Sequence, residues 1–198
     1  MFKNLSVQRK TLRGCIIFNI EESHPGVFAQ RTPERPSIII GETGEFLNFA
    51  EFEAISNQVA HLFRGLGLRR GDRIAIFLEN HIFYMPIVWG AFRCGLRVVT
   101  VATHLTTEDV DFILEDSNSA ALLTSLFMKS TLENLRMTTV VRQNRFILDG
   151  QYSDFRSFEQ AIHQMPISPV EDQSEGVEML YSSGTTGRPK GIMKKLPD

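Results

Sequence analysis

Arg73-Ile74-Ala75-Ile76-Phe77-Leu78, entered through Gly71-Asp72, is the stretch that decides the fold. A nearly continuous apolar run of this length reads as an interior strand covered on both faces, the situation of a strand in a parallel sheet. Parallel neighbours need crossover connections, usually helices. The sequence on either side supplies them.

Downstream, Ile82 to Cys94 is apolar almost all round and closes on Gly95, which reads as a buried helix whose start Pro86 delays or kinks. Arg97 to Val101 forms the next strand. Thr106 then caps a helix running to about Asp116, with Glu108 and Asp109 in its first turn, where the dipole favours anions, and Leu105 placed to staple onto Val110. Beyond it the pattern predicts a strand at Ala120 to Thr124, a helix at Met128 to Leu135, strands at Thr138 to Val141 and Phe146 to Leu148, and a helix at Phe155 to Met165. A polar connection from Met165 to Gly176 leads to a last strand, Val177 to Tyr181.

Upstream, a short helix near Val27 to Gln30 ends at Thr32-Pro33, since proline disfavours helical geometry in its predecessor. Ser37 to Ile40 and Phe46 to Phe49 flank Gly41-Glu42-Thr43-Gly44 and read as a hairpin. Asn48 caps the following helix with Glu51 as its capping-box partner, and Phe52, Ile55, Val59, Leu62, Phe63 and Leu66 make one apolar stripe that ends at Gly65 and Gly67. Residues 1–23 show no clear period and are expected to be a poorly ordered lead-in. Strand and helix alternate at short intervals, so the fold class is α/β with a largely parallel sheet.

The bulk composition agrees: 198 residues, 42% hydrophobic and 22% charged, suffice for one sizeable core. A net charge of -2 gives no basic field for nucleic acid phosphates. Cys15 and Cys94 stand far apart, without CxxC or Cys/His spacing, so neither a disulfide framework nor a zinc site is encoded. No stretch is long and apolar enough for a signal peptide or a membrane span, and a cytoplasmic location is expected.

The chemistry lies after the last strand, in Tyr181-Ser182-Ser183-Gly184-Thr185-Thr186-Gly187-Arg188-Pro189-Lys190-Gly191. Glycines let successive backbone N–H groups converge, hydroxyls add rotatable donors, and Lys190 adds a positive charge; together they suit a polyphosphate. The spacing is not that of a Walker loop, because two residues rather than four separate Gly184 from Gly187 and Gly191 follows the lysine. A dinucleotide fingerprint also fails, since Gly65-Leu66-Gly67 stands at a helix end.

This loop resembles, position for position, the signature of adenylate-forming enzymes, which include acyl-CoA synthetases, luciferases and peptide-synthetase adenylation domains. The order and spacing of Thr32-Pro33-Glu34-Arg35-Pro36, Gly71-Asp72-Arg73-Ile74-Ala75, Glu79-Asn80 and Gly95-Leu96 resemble the same family, and the likeness spans His24 to Pro197. Thr103-His104-Leu105-Thr106, Arg188-Pro189-Lys190-Gly191-Ile192 and Lys195-Leu196-Pro197 look most like fatty-acyl-CoA ligases of bacterial type.

The resemblance implies the first subdomain of the adenylate-forming fold, residues 24–198, ending in a strand-loop-strand phosphate hairpin. It implies a two-step reaction in which a carboxylic acid attacks ATP to give an acyl-adenylate, and coenzyme A then displaces AMP, with Mg2+ accompanying ATP. Ser182, Ser183, Gly184, Thr185, Thr186, Gly187 and Lys190 are the implied phosphate-binding residues. The family's adenine, ribose, magnesium-binding and lysine motifs lie beyond this loop, so the chain alone is expected not to turn over. A non-catalytic remnant or interaction module is the alternative, with self-association through apolar surface that would otherwise be covered.

The remaining conspicuous residues read as structural. His24, His61, His81, His104 and His163 lack paired metal spacing. Phe52, Phe63, Phe83, Tyr84, Trp89 and Phe92 lie on apolar helical faces and are core candidates. Arg69, Arg70 and Arg73 read as a solvated cluster, and Asp109, Asp111, Glu115 and Asp116 as the polar face of an amphipathic helix.

Overall fold

The computed structural model describes residues 11–12, 15–16, 24–182 and 188–197. Thr11–Leu12 (β1) and Cys15–Ile16 (β2) pair antiparallel. The rest of the 1–23 lead-in lies outside the described residues.

Pro25–Arg31 (α1) is capped by His24, whose ring accepts from the Gly26 N–H. Pro36–Ile39 (β3) and Phe46–Asn48 (β4) form the expected hairpin. Phe49–Gly65 (α2) begins with the full capping box: the Glu51 N–H donates to Asn48 at 2.8 Å, and the Asn48 N–H donates to the Glu51 carboxylate at 2.9 Å.

Arg73–Phe77 (β5) is the central strand, parallel to Arg97–Thr100 (β6) on one side and Ala121–Ser125 (β7) on the other. Arg145–Leu148 (β8) and Arg156–Ser157 (β9) extend the sheet beyond β7, while Val177–Ser182 (β10) extends it parallel to β6. Lys190–Met193 (β11) closes that edge antiparallel to β10, giving the order β11-β10-β6-β5-β7-β8-β9.

Alternation along β5 divides the core. Ile74 and Ile76 pack with α2, with Tyr84–Arg93 (α3) and with Phe158–His163 (α6). Ala75 and Phe77 face the other way, toward Thr107–Ser117 (α4) and Lys129–Leu132 (α5). All five residues from Ile74 to Leu78 are buried, as a strand between two helical layers requires.

Three expectations need correction. Thr138 to Val141 is not a strand: the Arg145 guanidinium and Nε bind the carbonyls of Met137 and Val140, and Thr139 Oγ1 donates to Leu114 O. Side chains thereby take carbonyls that a ladder would have used. The helix expected at Phe155 to Met165 starts only at Phe158, because Arg156 and Ser157 pair with β8 and Ser157 then accepts from the Gln160 N–H as cap. The helix expected at Met128 to Leu135 is α5 alone, after a tight turn at Leu126–Met128; beyond it the buried Asp111 carboxylate accepts from the Arg136 and Met137 N–H groups and pulls the chain out of helical geometry.

Candidate nucleotide-phosphate site

β10 runs parallel to β6 and β5, so Ser182 stands at the carboxyl ends of the parallel strands, the edge at which open α/β sheets bind ligands. β11 returns with Tyr181 opposite Gly191 and Ser182 opposite Lys190. Directly opposed residues of an antiparallel pair share a face. The hairpin therefore brings Ser182 and Lys190, both exposed, to one side of the end at which residues 183–189 join its strands. The other sequence candidates, Ser183, Gly184, Thr185, Thr186 and Gly187, lie outside the described residues.

Packing fixes the two strands. The Tyr181 ring lies over Gly191, where an added Cβ would come within 3.1 Å of Tyr181 Cζ and 2.9 Å of Met179 Cε, so a side chain there would push the strands apart. Tyr181 Oη donates to Asp116 Oδ2 at 2.6 Å. Burial, reinforced by that bond, holds the Tyr181 phenol well above its ordinary pKa, so it remains a donor at neutral pH. The Arg188 guanidinium lies 5.5 Å from the centroid of the Phe112 ring, and Lys194 Nζ donates to Glu178 at 2.9 Å. Asp116, read from sequence as solvated helix surface, is thus a contact of the hairpin.

Among the described residues, Glu79, His81 and Asp149 bring ligand atoms within 4.8 Å of one another. His81 Nδ1 accepts from the Phe83 N–H, which leaves the ring proton on Nε2, and Nε2 donates to Asp149 at 3.1 Å. A ligating histidine needs the opposite arrangement, with its second nitrogen donating. This pair is a closed structural link between the ends of β5 and β8. Cys94 is equally closed: burial pushes its thiol up to about 11, which removes the thiolate a nucleophile needs.

Arg69 and Arg70 are exposed, as expected, but Arg73 is half-buried and its guanidinium reaches Met193 Sδ at 3.9 Å. A cavity of about 630 Å3 beside Arg156 and Gln160 opens at the β9 edge, across the sheet from the hairpin. The apolar stripes of α2 and α4 are largely covered; large exposed apolar side chains are scattered, at Ile39, Phe46, Phe127 and Ile167 among others, and also on the hairpin at Leu180, Ile192 and Met193.

The family model described as "AMP-binding enzyme" matches residues 27–195, from α1 through β11. The chain belongs to the AMP-binding enzyme family. The 2-succinylbenzoate–CoA ligase of Bacillus subtilis (strain 168) is 32% identical to this AMP-binding family member over 167 residues, which cover 84% of the chain and 31% of that protein. Long-chain fatty acid transport protein 1 of Homo sapiens is 30% identical over 174 residues, covering 83% and 27%. Among solved structures, the N-terminal domain of FACL13 from Mycobacterium tuberculosis superposes with a TM-score of 0.70 at 23% identity, over 85% of this chain and 42% of that one.

The α/β fold with its mostly parallel sheet is that of the amino-terminal domains of adenylate-forming enzymes. The chain spans less than a third of the length of the two curated relatives, 31% and 27%. No helix among the described residues is long and apolar enough to cross a membrane.

Proposed function

We propose that residues 24–198 form the amino-terminal part of an adenylation domain that activates a carboxylic acid, of the fatty-acid class, as an acyl-adenylate and then as an acyl-CoA. The observation that carries this reading is the β10–β11 hairpin at the carboxyl edge of the sheet, with Ser182 opposite Lys190 where residues 183–189 join the two strands. Residues 183–187 between them complete the sequence Ser-Ser-Gly-Thr-Thr-Gly.

The pyrophosphate leaving from ATP accumulates negative charge, and preorganised N–H groups, hydroxyls and one lysine stabilise it where it develops. Ser182, Ser183, Gly184, Thr185, Thr186, Gly187 and Lys190 are the residues assigned that task. Among the described residues, Asp116 accepts from Tyr181, and Glu178, on β10, accepts from Lys194. Mg2+ is assigned as the ion that accompanies ATP, as the resemblance to adenylate-forming enzymes implies. Coenzyme A is the second-step acceptor, and the cytoplasm, where both co-substrates are available, is the proposed location.

Calorimetric titration of the chain with MgATP and with pyrophosphate tests the assignment, alongside a Lys190→Ala variant. Both ligands are expected to bind, with Lys190→Ala weakening each about tenfold or more, the scale of one charge-assisted contact. Equal affinity in the variant, or no binding of either ligand by the parent chain, would refute the phosphate role.

A further inference from the structure

We propose that α4 anchors the β10–β11 hairpin beside Ser182 and Lys190, Asp116 through Tyr181 and Phe112 through Arg188, so that these two side chains are positioning residues for Ser182 and Lys190 and through them for the nucleotide's phosphates. The inference rests on the phosphate-binding reading of the hairpin.

Phe112 and Asp116 are four residues apart on α4 and therefore share one face, a turn apart. Tyr181 immediately precedes Ser182, and Arg188 precedes Lys190 by two residues. The two anchors, a 2.6 Å phenol–carboxylate hydrogen bond and a guanidinium 5.5 Å from an aromatic centroid, thus sit one residue before Ser182 and two before Lys190. Neither uses Ser182 or Lys190, which remain exposed.

Ser182 and Lys190 lose conformational freedom when they close on a phosphate, and fixing their chain neighbours Tyr181 and Arg188 beforehand reduces that loss. The support must itself be rigid to transmit position. α4 meets this condition: Val110, Ile113 and Leu114 are buried in the core beneath the sheet, Thr106 caps its first turn, and Asp111 ties its opposite side to residues 136–137. Burial of the Tyr181 hydroxyl, which keeps it protonated, adds support by making the Tyr181 anchor independent of pH across the neutral range. Asp116 is exposed, and Phe112 packs half-buried on the rim of the core, so Phe112→Leu keeps an apolar contact there while removing the ring.

The test uses the 198-residue chain and the variants Asp116→Ala and Phe112→Leu, with Asp116→Asn and Phe112→Tyr as conservative controls that keep an acceptor and a ring. Three quantities are read: affinity for pyrophosphate by calorimetry, deuterium exchange of peptides spanning 181–191 with and without pyrophosphate, and the urea midpoint. The disruptive variants are expected to bind pyrophosphate roughly 3–30-fold more weakly. They are also expected to exchange faster at 181–191 without ligand, recover protection at saturating pyrophosphate, and keep the parent's urea midpoint, while the controls stay close to the parent. A merely structural role would instead lower the midpoint and leave the ligand dependence unchanged. Parent chain that binds pyrophosphate together with disruptive variants of unaltered affinity and exchange would overturn the anchoring role alone. Parent chain that binds no pyrophosphate would overturn the phosphate reading and the positioning role with it.

Discussion

Replacing Gly90 by alanine pits helix propensity against packing, and the structure decides the sign. Gly90 lies inside α3, where alanine favours the helix by about 1 kcal/mol over glycine. A Cβ at that position would stand 2.5 Å from Val59 Cγ1, 2.6 Å from Val59 Cβ and 2.9 Å from the Ser56 carbonyl oxygen of α2. None of these can step aside: Val59 is fully buried and β-branched, which leaves it one favoured rotamer in a helix, and the third atom is backbone. Overpacking of this kind costs about 1–3 kcal/mol, and the clash with two rigid groups puts it toward the upper end. Net destabilisation after the propensity gain is therefore about 1–2 kcal/mol. With a urea dependence of about 2 kcal/mol per molar, the unfolding midpoint followed by circular dichroism should fall by roughly 0.5–1 M. In a Val59→Ala background the same substitution should cost less, with a coupling of about 1 kcal/mol. A midpoint equal to or above that of the parent would show that α2 and α3 separate freely, and the packing argument would be wrong.

Two further outcomes follow from polar groups that the fold encloses. Asp111, 4% exposed, accepts from the Arg136 and Met137 N–H groups; Asp111→Ala strands both donors and should cost about 2–4 kcal/mol in urea unfolding, with Asp111→Asn, which keeps one acceptor oxygen, losing roughly half. Equal losses in the two variants would show that the acceptor oxygens are not what holds 136–137. His24 caps α1 through a ring nitrogen that must stay unprotonated, and burial followed by the nearby Arg93 charge lowers its pKa below 6.5. The folded state then binds fewer protons than the unfolded chain, so the contribution is complete above about pH 6.5 and is lost as pH falls through the folded value. Between pH 8 and pH 5 the parent should lose more stability than His24→Asn, whose amide caps without titrating; parallel pH profiles would contradict this.

Local chemistry was legible and long-range partners were not. The caps at Asn48 and Thr106 could be read because donor and acceptor lie three residues apart, and β5 because its alternating faces are both apolar. The strand-loop-strand pattern anticipated the hairpin, whereas the register that sets Ser182 opposite Lys190 emerges only from the pairing of β10 with β11. Thr138 to Val141 misled because its β-branched residues suit a strand, whereas Arg145, which binds the neighbouring carbonyls, acts only after β8 has been placed.

Asp111 and Asp116 show the limit most clearly, since residue type and helix are the same for both. Five residues at about 100° each turn Asp116 by about 140° from Asp111 around α4, so the two carboxylates serve different surfaces. A helical projection gives that separation and also the shared face of Phe112 and Asp116. It does not say which face meets the segment at 136–137 and which meets a tyrosine 65 residues farther along the chain. That information resides in the return of β10 alongside β6, which carries Tyr181 to α4 and makes one exposed aspartate a hairpin contact while its neighbour stays a buried tie.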